Sequence, residues 1–242
     1  MFEQYVEQIE AEANKEFPKE AVWLITKKGC KRVKNVHEQP ESYFRISEAE
    51  TKKAMAAGLL AVVHTHPNGE AIPSSSDMAG QISTRVPWGI LTCDGVGTSA
   101  IVWWGDGVEK PPLIGRTFRH GVTDCYALIK DYYDLELGIK LPDFPRDWAW
   151  WNEDQNLFEQ GFTKAGFKQI DASDAQPGDV WLAKIGNVEV ANHGGVLLEN
   201  DLMIHQTGSN DAVDDSRPSA REPIYRYLRH ITHWLRYVGD QK

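Results

Sequence analysis

The sequence predicts a mixed α/β (α+β) chain in two parts, an α/β sandwich followed by a second, differently patterned domain. Three observations carry this. Over roughly the first 100 residues the apolar pattern switches between helical and strand periods in the order α-β-β-α-β-α-β-β, the alternation that builds a layered α/β domain. The stretch Gly105-Asp106-Gly107-Val108-Glu109-Lys110-Pro111-Pro112 has no apolar periodicity and reads as a linker. Beyond it come one long amphipathic helix and then short apolar runs separated by turn residues. The expected division is 1–105, a linker at 106–112, and 113–242.

Residues 3–16 read as a helix with Tyr5, Val6, Ile9 and Ala13 on one face, ended by Pro18. Residues 21–26 read as a strand, 27–29 as a turn, 33–36 as a second strand and 44–46 as a short one. Ser47 with Glu50 forms a capping box for a helix over 48–57, and Gly58 closes it. The run from Leu59 to Val63 reads as a buried strand, with a helix over 75–84 after it. Residues 90–92 and 99–103 are further strands. In the second part, Thr123 or Asp124 can cap a helix with Leu128, Ile129 and Tyr132 on its apolar face. Residues 176–182 are a turn leading into a strand. Residues 192–198 and 202–206 form a hairpin around Glu199-Asn200-Asp201.

Composition narrows the function classes. The chain has 242 residues, 41% of them hydrophobic and nine of them Trp, enough for sizeable cores. Asp and Glu outnumber Lys and Arg by 35 to 26, and no basic cluster stands out, so nucleic acid is not an expected partner. Three well-separated Cys do not make a disulfide framework, which suits a reducing cytoplasm. Cys30 and Cys93 read as inert buried thiols. The N-terminal residues lack the basic and apolar regions of a signal peptide, and no apolar run is long enough to span a membrane.

The first candidate site lies where the buried strand ends. His64 and His66 stand two residues apart, so in a strand they point to one face. Pro67 stops the strand, and ten residues separate His66 from Asp77, in the first turn of the next helix. Two imidazoles and a carboxylate suit a tetrahedral Zn²⁺ with a fourth position left for water, whose pKa the metal lowers toward neutrality. The pattern His64-Thr65-His66-Pro67, six residues, Ser74, two residues, Asp77 resembles the JAMM (MPN+) metallopeptidase motif at each defined position. The resemblance implies a zinc-dependent peptidase or isopeptidase. It also points to Glu20, in Pro18-Lys19-Glu20, as general base, although Trp23 stands where the family has Gly. Ser74 reads either as an oxyanion-stabilising group or as a plain helix cap.

The second candidate site centres on Cys125, in the first turn of its helix, where the helix N-terminus is expected to lower the thiol pKa. A thiolate nucleophile needs a base, and the base needs an orienter. His193 and His205 can supply these roles if the hairpin register places them on one face, which Leu198 opposite Leu202 does. Asp124-Cys125-x-x-Leu128, Pro177-Gly178-Asp179-Val180, His193-x-Gly195 and Met203-Ile204-His205 resemble the NlpC family of papain-like peptidases over roughly residues 112–242. The resemblance implies a papain-like α+β domain cutting peptidoglycan stem peptides. Tyr126 replaces a common Ser, and Phe118 stands nearest to the position of the family's oxyanion tyrosine, so no residue is assigned that role. Trp148, Trp150 and Trp151 read as packing residues, with a sugar- or partner-binding surface as the alternative. His37, His120, His230 and His233 read as surface residues.

A JAMM domain followed by an NlpC-type domain is similar to the tail-tip assembly peptidases of lambda-like siphophages. The resemblance implies a chain made in the host cytoplasm, placed in the virion tail with other tail-tip proteins, and reaching the periplasm during entry. Two alternatives remain open at this point. One is an assembly protein in which one or both sites do not turn over. The other is a bacterial cell-wall hydrolase, which a signal peptide would favour.

Overall fold

The computed structural model describes residues 1–153, 155–206 and 210–239. These fall into two compact units. The first holds Met1–Pro73 and Ala79–Glu109; the second holds the chain from Lys110 on, together with Ser74–Met78. Those five residues are the cap and first turn of a helix whose remaining turns lie in the first unit. The C-terminal end of the stretch expected for the second domain, 240–242, lies outside the described residues. No helix among the described residues is long and apolar enough to cross a membrane.

The first unit is built from α1 (Glu3–Ala13), β1 (Val22–Thr26), β2 (Gly29–Val33), α2 (Glu48–Ala56), β3 (Leu59–Pro67), α3 (Ser75–Thr84), β4 (Trp88–Cys93) and β5 (Val102–Trp104). Its sheet has the order β2-β1-β3-β4-β5, with β3 and β4 parallel and the other pairs antiparallel. The strand period of two divides β3 cleanly. Ala61 and Val63 join Trp23, Ile25 and Leu91 in a core closed by Ile9 and Ala13 of α1. Val62, His64 and His66 therefore face the other side.

Three strands differ from expectation, β5 only in starting at Val102 rather than Ser99. The second one begins at Gly29 rather than at Val33, because Lys27 and Lys28 alone make the turn and Thr26 pairs directly with Gly29. Gly29 takes φ 127°, a value that favours glycine. Residues 44–46 form no strand, since Asn35 satisfies this segment instead, its Oδ1 accepting from the Arg45 amide and its Nδ2 donating to the Tyr43 carbonyl. Ser47 caps α2 as expected, the Glu50 amide donating to its Oγ at 3.3 Å, and Gly58 follows with φ 74°, but the Glu50 carboxylate accepts from Lys31 and Lys53 instead of closing the capping box.

The second unit comprises β6 (Phe118–Arg119), α4 (Cys125–Leu137), the short α5 (Leu157–Gly161), β7 (Phe167–Ile170), β8 (Val180–Ala183), β9 (His193–Leu197), β10 (Leu202–His205), β11 (Val213–Asp214), β12 (Ala220–Pro223) and β13 (Ile231–Tyr237). Six strands form an antiparallel sheet in the order β12-β10-β9-β8-β13-β7, and β11 pairs with β6. Leu128, Ile129 and Tyr133 of α4 pack on Val180, Leu182, Val196, Ile204 and Leu235. On the opposite face Trp181, Ala183, Leu197, Met203 and Ile224 form a second cluster. Gly195 lets the sheet close there, because a Cβ at that position would lie 2.6 Å from both the Ile204 carbonyl oxygen and the Trp181 ring.

Candidate active sites

The first site stands at the C-terminal end of β3. His64 Nε2 and His66 Nε2 lie 3.0 Å apart. His66 Nδ1 is 2.9 Å from the Glu70 main-chain oxygen. A carbonyl only accepts, so Nδ1 carries the proton and Nε2 keeps its lone pair toward His64. One ligand atom from each of His64, His66 and Asp77 lies within 4.8 Å of the others. The spacing and the two-nitrogen, one-oxygen donor set fit a zinc ion. Asp77 is held by the helix start: its Oδ2 accepts from the Ser74 amide (2.9 Å) and hydroxyl (2.6 Å), while the Asp77 amide donates back to Ser74 Oγ (3.2 Å). Ser74 thus acts as a helix cap that also fixes the carboxylate.

Glu20 is buried, with 5% of its surface exposed. It lies two residues before β1, whose Val22 pairs with His64. Around His64 stand Phe44, Trp88 and Trp104, with ring centroids at 4.7, 5.9 and 6.2 Å. This aromatic surround lowers the local dielectric and strengthens any charge interaction at the imidazoles. It escapes sequence reasoning because the three rings come from separate segments.

The second site lies in a pocket of about 1170 Å³ within the second unit, lined among others by Cys125, His193, His120, Trp148 and Glu222. Cys125 is the first residue of α4, capped by Asp124, whose side chain accepts from the Ala127 amide at 2.9 Å. The main-chain amides of Gly194 and Tyr126 favour the charged form of the Cys125 thiol. The hairpin has the expected register: the Leu198 amide donates to the Leu202 carbonyl at 2.7 Å, and His205 pairs with Gly195. His193 and His205 consequently share a face, with Nε2 of the first 3.0 Å from Nδ1 of the second.

The thiol does not behave as its helix position suggests. Burial pushes Cys125 up to about 12, the Asp124 carboxylate adds to this, and Arg146 with the two amides opposes it only in part. The helix N-terminus is outweighed first by burial and then by its own anionic cap. Burial, with the adjacent His205, holds His193 down at about 3, so it is a neutral base. His120, expected at the surface, is 2% exposed. Its Nδ1 is 3.7 Å from Asp124 and its ring stacks edge-on against Trp148 at 5.5 Å. Trp148, Trp150 and Trp151 pack edge to face on one another and also line the pocket.

Comparison with known proteins joins the two sites. The model of prokaryotic homologs of the JAB domain matches residues 2–104, and that of the NlpC/P60 family matches residues 115–232. Tail tip assembly protein K of Escherichia phage lambda is 37% identical over 155 residues, covering 62% of this chain and 71% of that protein. The chain belongs to the tail tip assembly protein K family. The Escherichia phage N15 tail tip assembly protein K is 28% identical over 221 residues, 85% of each chain. A probable TtuB-protein conjugate cleaving protease of Thermus thermophilus is 35% identical over 101 residues, covering 38% of this chain and 68% of that one.

In this tail tip assembly protein the helix that starts at Cys125 is tied down by a buried ion pair. Arg146, 7% exposed, donates from Nε and Nη2 to the Asp124 carboxylate at 2.8 to 3.1 Å. Burial works against the Asp124 charge, but Arg146 and the cap amides hold its pKa at about 2. Arg146→Leu leaves that carboxylate buried without its counterion. Stability is expected to fall by about 3–5 kcal/mol, read as a lower urea midpoint at unchanged slope. A change below about 1 kcal/mol would show the pair to be solvated in solution.

Proposed function

We propose that this chain is a tail-tip assembly protein with two peptide-bond hydrolase sites, a cysteine peptidase that cuts peptidoglycan stem peptides and a zinc-dependent peptidase or isopeptidase. The observation that carries the reading is that His193 lines the same pocket as Cys125 and is backed by His205 at 3.0 Å. His193 is neutral and takes the thiol proton as the sulfur attacks a peptide carbonyl. Because the free thiol titrates at about 12, proton transfer accompanies attack and no thiolate is stored beforehand. The protonated His193 then returns the proton to the leaving amine, and water releases the acyl group from sulfur.

At the first site His64, His66 and Asp77 would hold the zinc. Zinc supplies Lewis acidity and lowers the pKa of water. Glu20, buried just ahead of β1, is the residue assigned here to hold a proton during attack on an amide. The expected setting is the virion tail, among other tail-tip proteins, with access to the host cell wall during entry. Family membership supports this setting and speaks against a bacterial housekeeping hydrolase.

Metal content and muropeptide digestion on one purified sample test the reading. One zinc per chain together with Cys125-dependent release of stem-peptide fragments supports both sites. Zinc without cleavage favours a second reading, an assembly protein whose cysteine site is dormant. The high thiol pKa and Phe118 in place of a tyrosine favour that outcome.

The pH dependence follows from His193. With its pKa held at about 3, it stays neutral as pH falls from 7 to 5, and kcat/KM is expected to change by less than about twofold there. An acid limb near pH 6.5 would show a solvated imidazole. Stability carries the same sign: the unfolded histidine binds a proton that the folded one refuses. Stability is therefore complete above about pH 6.5 and declines toward pH 3, by at most about 1.4 kcal/mol per pH unit.

A further inference from the structure

We infer that Glu222 is a positioning residue of the cysteine site: its carboxylate keeps the His205 proton on Nε2 and so leaves His193 with a lone pair for the nucleophile. The inference rests on the roles proposed above for Cys125 and His193.

Met203 pairs with Glu222 and His205 with Ala220, so Glu222 and His205 stand on one face of neighbouring strands. His205 is fully buried, and its Nε2 has no hydrogen bond among the described residues. Glu222 Oε2 lies 3.7 Å from that nitrogen. The other oxygen of Glu222, Oε1, is 3.5 Å from Nη1 of the half-exposed Arg226. The carboxylate thus divides its oxygens between a cation on the solvent side and an imidazole on the buried side.

An ionised carboxylate only accepts, and this fixes a sequence of protons. His205 places its N–H on Nε2, toward Glu222. Its Nδ1 is then a lone pair, and it accepts from His193 Nε2–H at 3.0 Å. His193 is left with Nδ1 unprotonated, the form a general base requires. The reverse arrangement would aim a lone pair of His205 at a carboxylate and put the proton of His193 on Nδ1, where it cannot receive one from the thiol. The imidazoles have little room to settle the matter by turning over. Tyr227 and Trp181 flank His205 at ring distances of 5.0 and 5.9 Å, and Trp181 flanks His193 at 5.4 Å. Which nitrogen carries the proton is therefore the variable left, and Glu222 selects it. Sequence motifs do not reveal this group, because Glu222 sits in an ordinary polar stretch seventeen residues after His205.

The test is imidazole ¹⁵N NMR on the full-length chain, with muropeptide kinetics and the rate of Cys125 alkylation by iodoacetamide. The wild type is expected to show both His205 and His193 protonated on Nε2. Glu222→Leu removes the acceptor and should give mixed tautomers at both. Its kcat should drop about 10- to 100-fold, the range seen when the outer partner of a ligating histidine is removed, with KM within about twofold. Glu222→Gln keeps a carbonyl acceptor in place and should recover most of the rate. A wild-type His205 protonated on Nδ1 overturns the inference without any variant. So do unchanged tautomers and kcat in a folded Glu222→Leu protein. If the wild type cleaves no muropeptide, yet the tautomers respond to Glu222 as stated and Glu222→Leu slows Cys125 alkylation, the peptidase reading fails and the positioning role stands.

Discussion

Cys125→Ala is expected to abolish muropeptide cleavage, by about 10³-fold or more, while zinc content stays the same. The substitution removes one sulfur atom from the first turn of α4. The helix keeps its cap, because Asp124 still accepts from the Ala127 amide and still binds Arg146. Loss of fold is therefore not the expected cause of lost activity, and an unchanged urea midpoint would confirm this. His193 would remain a neutral base with no proton to take. Chromatography of muropeptides after digestion reads the effect directly. Substantial cleavage by a folded Cys125→Ala chain would rule out the nucleophile and turn attention to the first site.

His66→Ala is expected to lower bound zinc from about one per chain to less than about a tenth after dialysis, since three protein ligands become two. His66 is half-buried, near the end of β3, and its imidazole meets the Glu70 carbonyl and His64 of the same strand, so a folded variant is expected. Plasma mass spectrometry measures the metal. Cysteine-dependent muropeptide cleavage should persist in the same sample. If both activities vanish while the chain stays folded, the two sites depend on each other functionally. If zinc is retained in full, the metal sits elsewhere.

Much of this was legible from periodicity. The face shared by His64 and His66 follows from a strand period of two, and the face shared by His193 and His205 follows from that period plus the parity of one hairpin. Helix starts at Ser47, Ser74 and Asp124 were legible because caps are local chemistry. What escaped was set by tertiary surroundings. The Cys125 thiol lies at a helix N-terminus, yet desolvation and the anionic cap outweigh that effect, and neither can be weighed before the neighbours are known. His120 is buried by Trp148, which lies 28 residues away in sequence. The displaced second strand has a smaller cause, a two-residue turn that the pattern of charges does not distinguish from a longer one.

The two sites differ in how their histidines are held, and that difference bears on how each can be lost. His66 is oriented by a main-chain carbonyl, which every residue at position 70 would supply. An alanine scan should pass over this support silently, and drift in sequence cannot easily erase it. His193 is oriented by a side chain, His205, so a single codon change can disarm the cysteine site with its nucleophile intact. Among relatives, silent decay of activity is then expected to begin behind the proposed base of the cysteine site, or at Ser74 behind Asp77, and not at position 70.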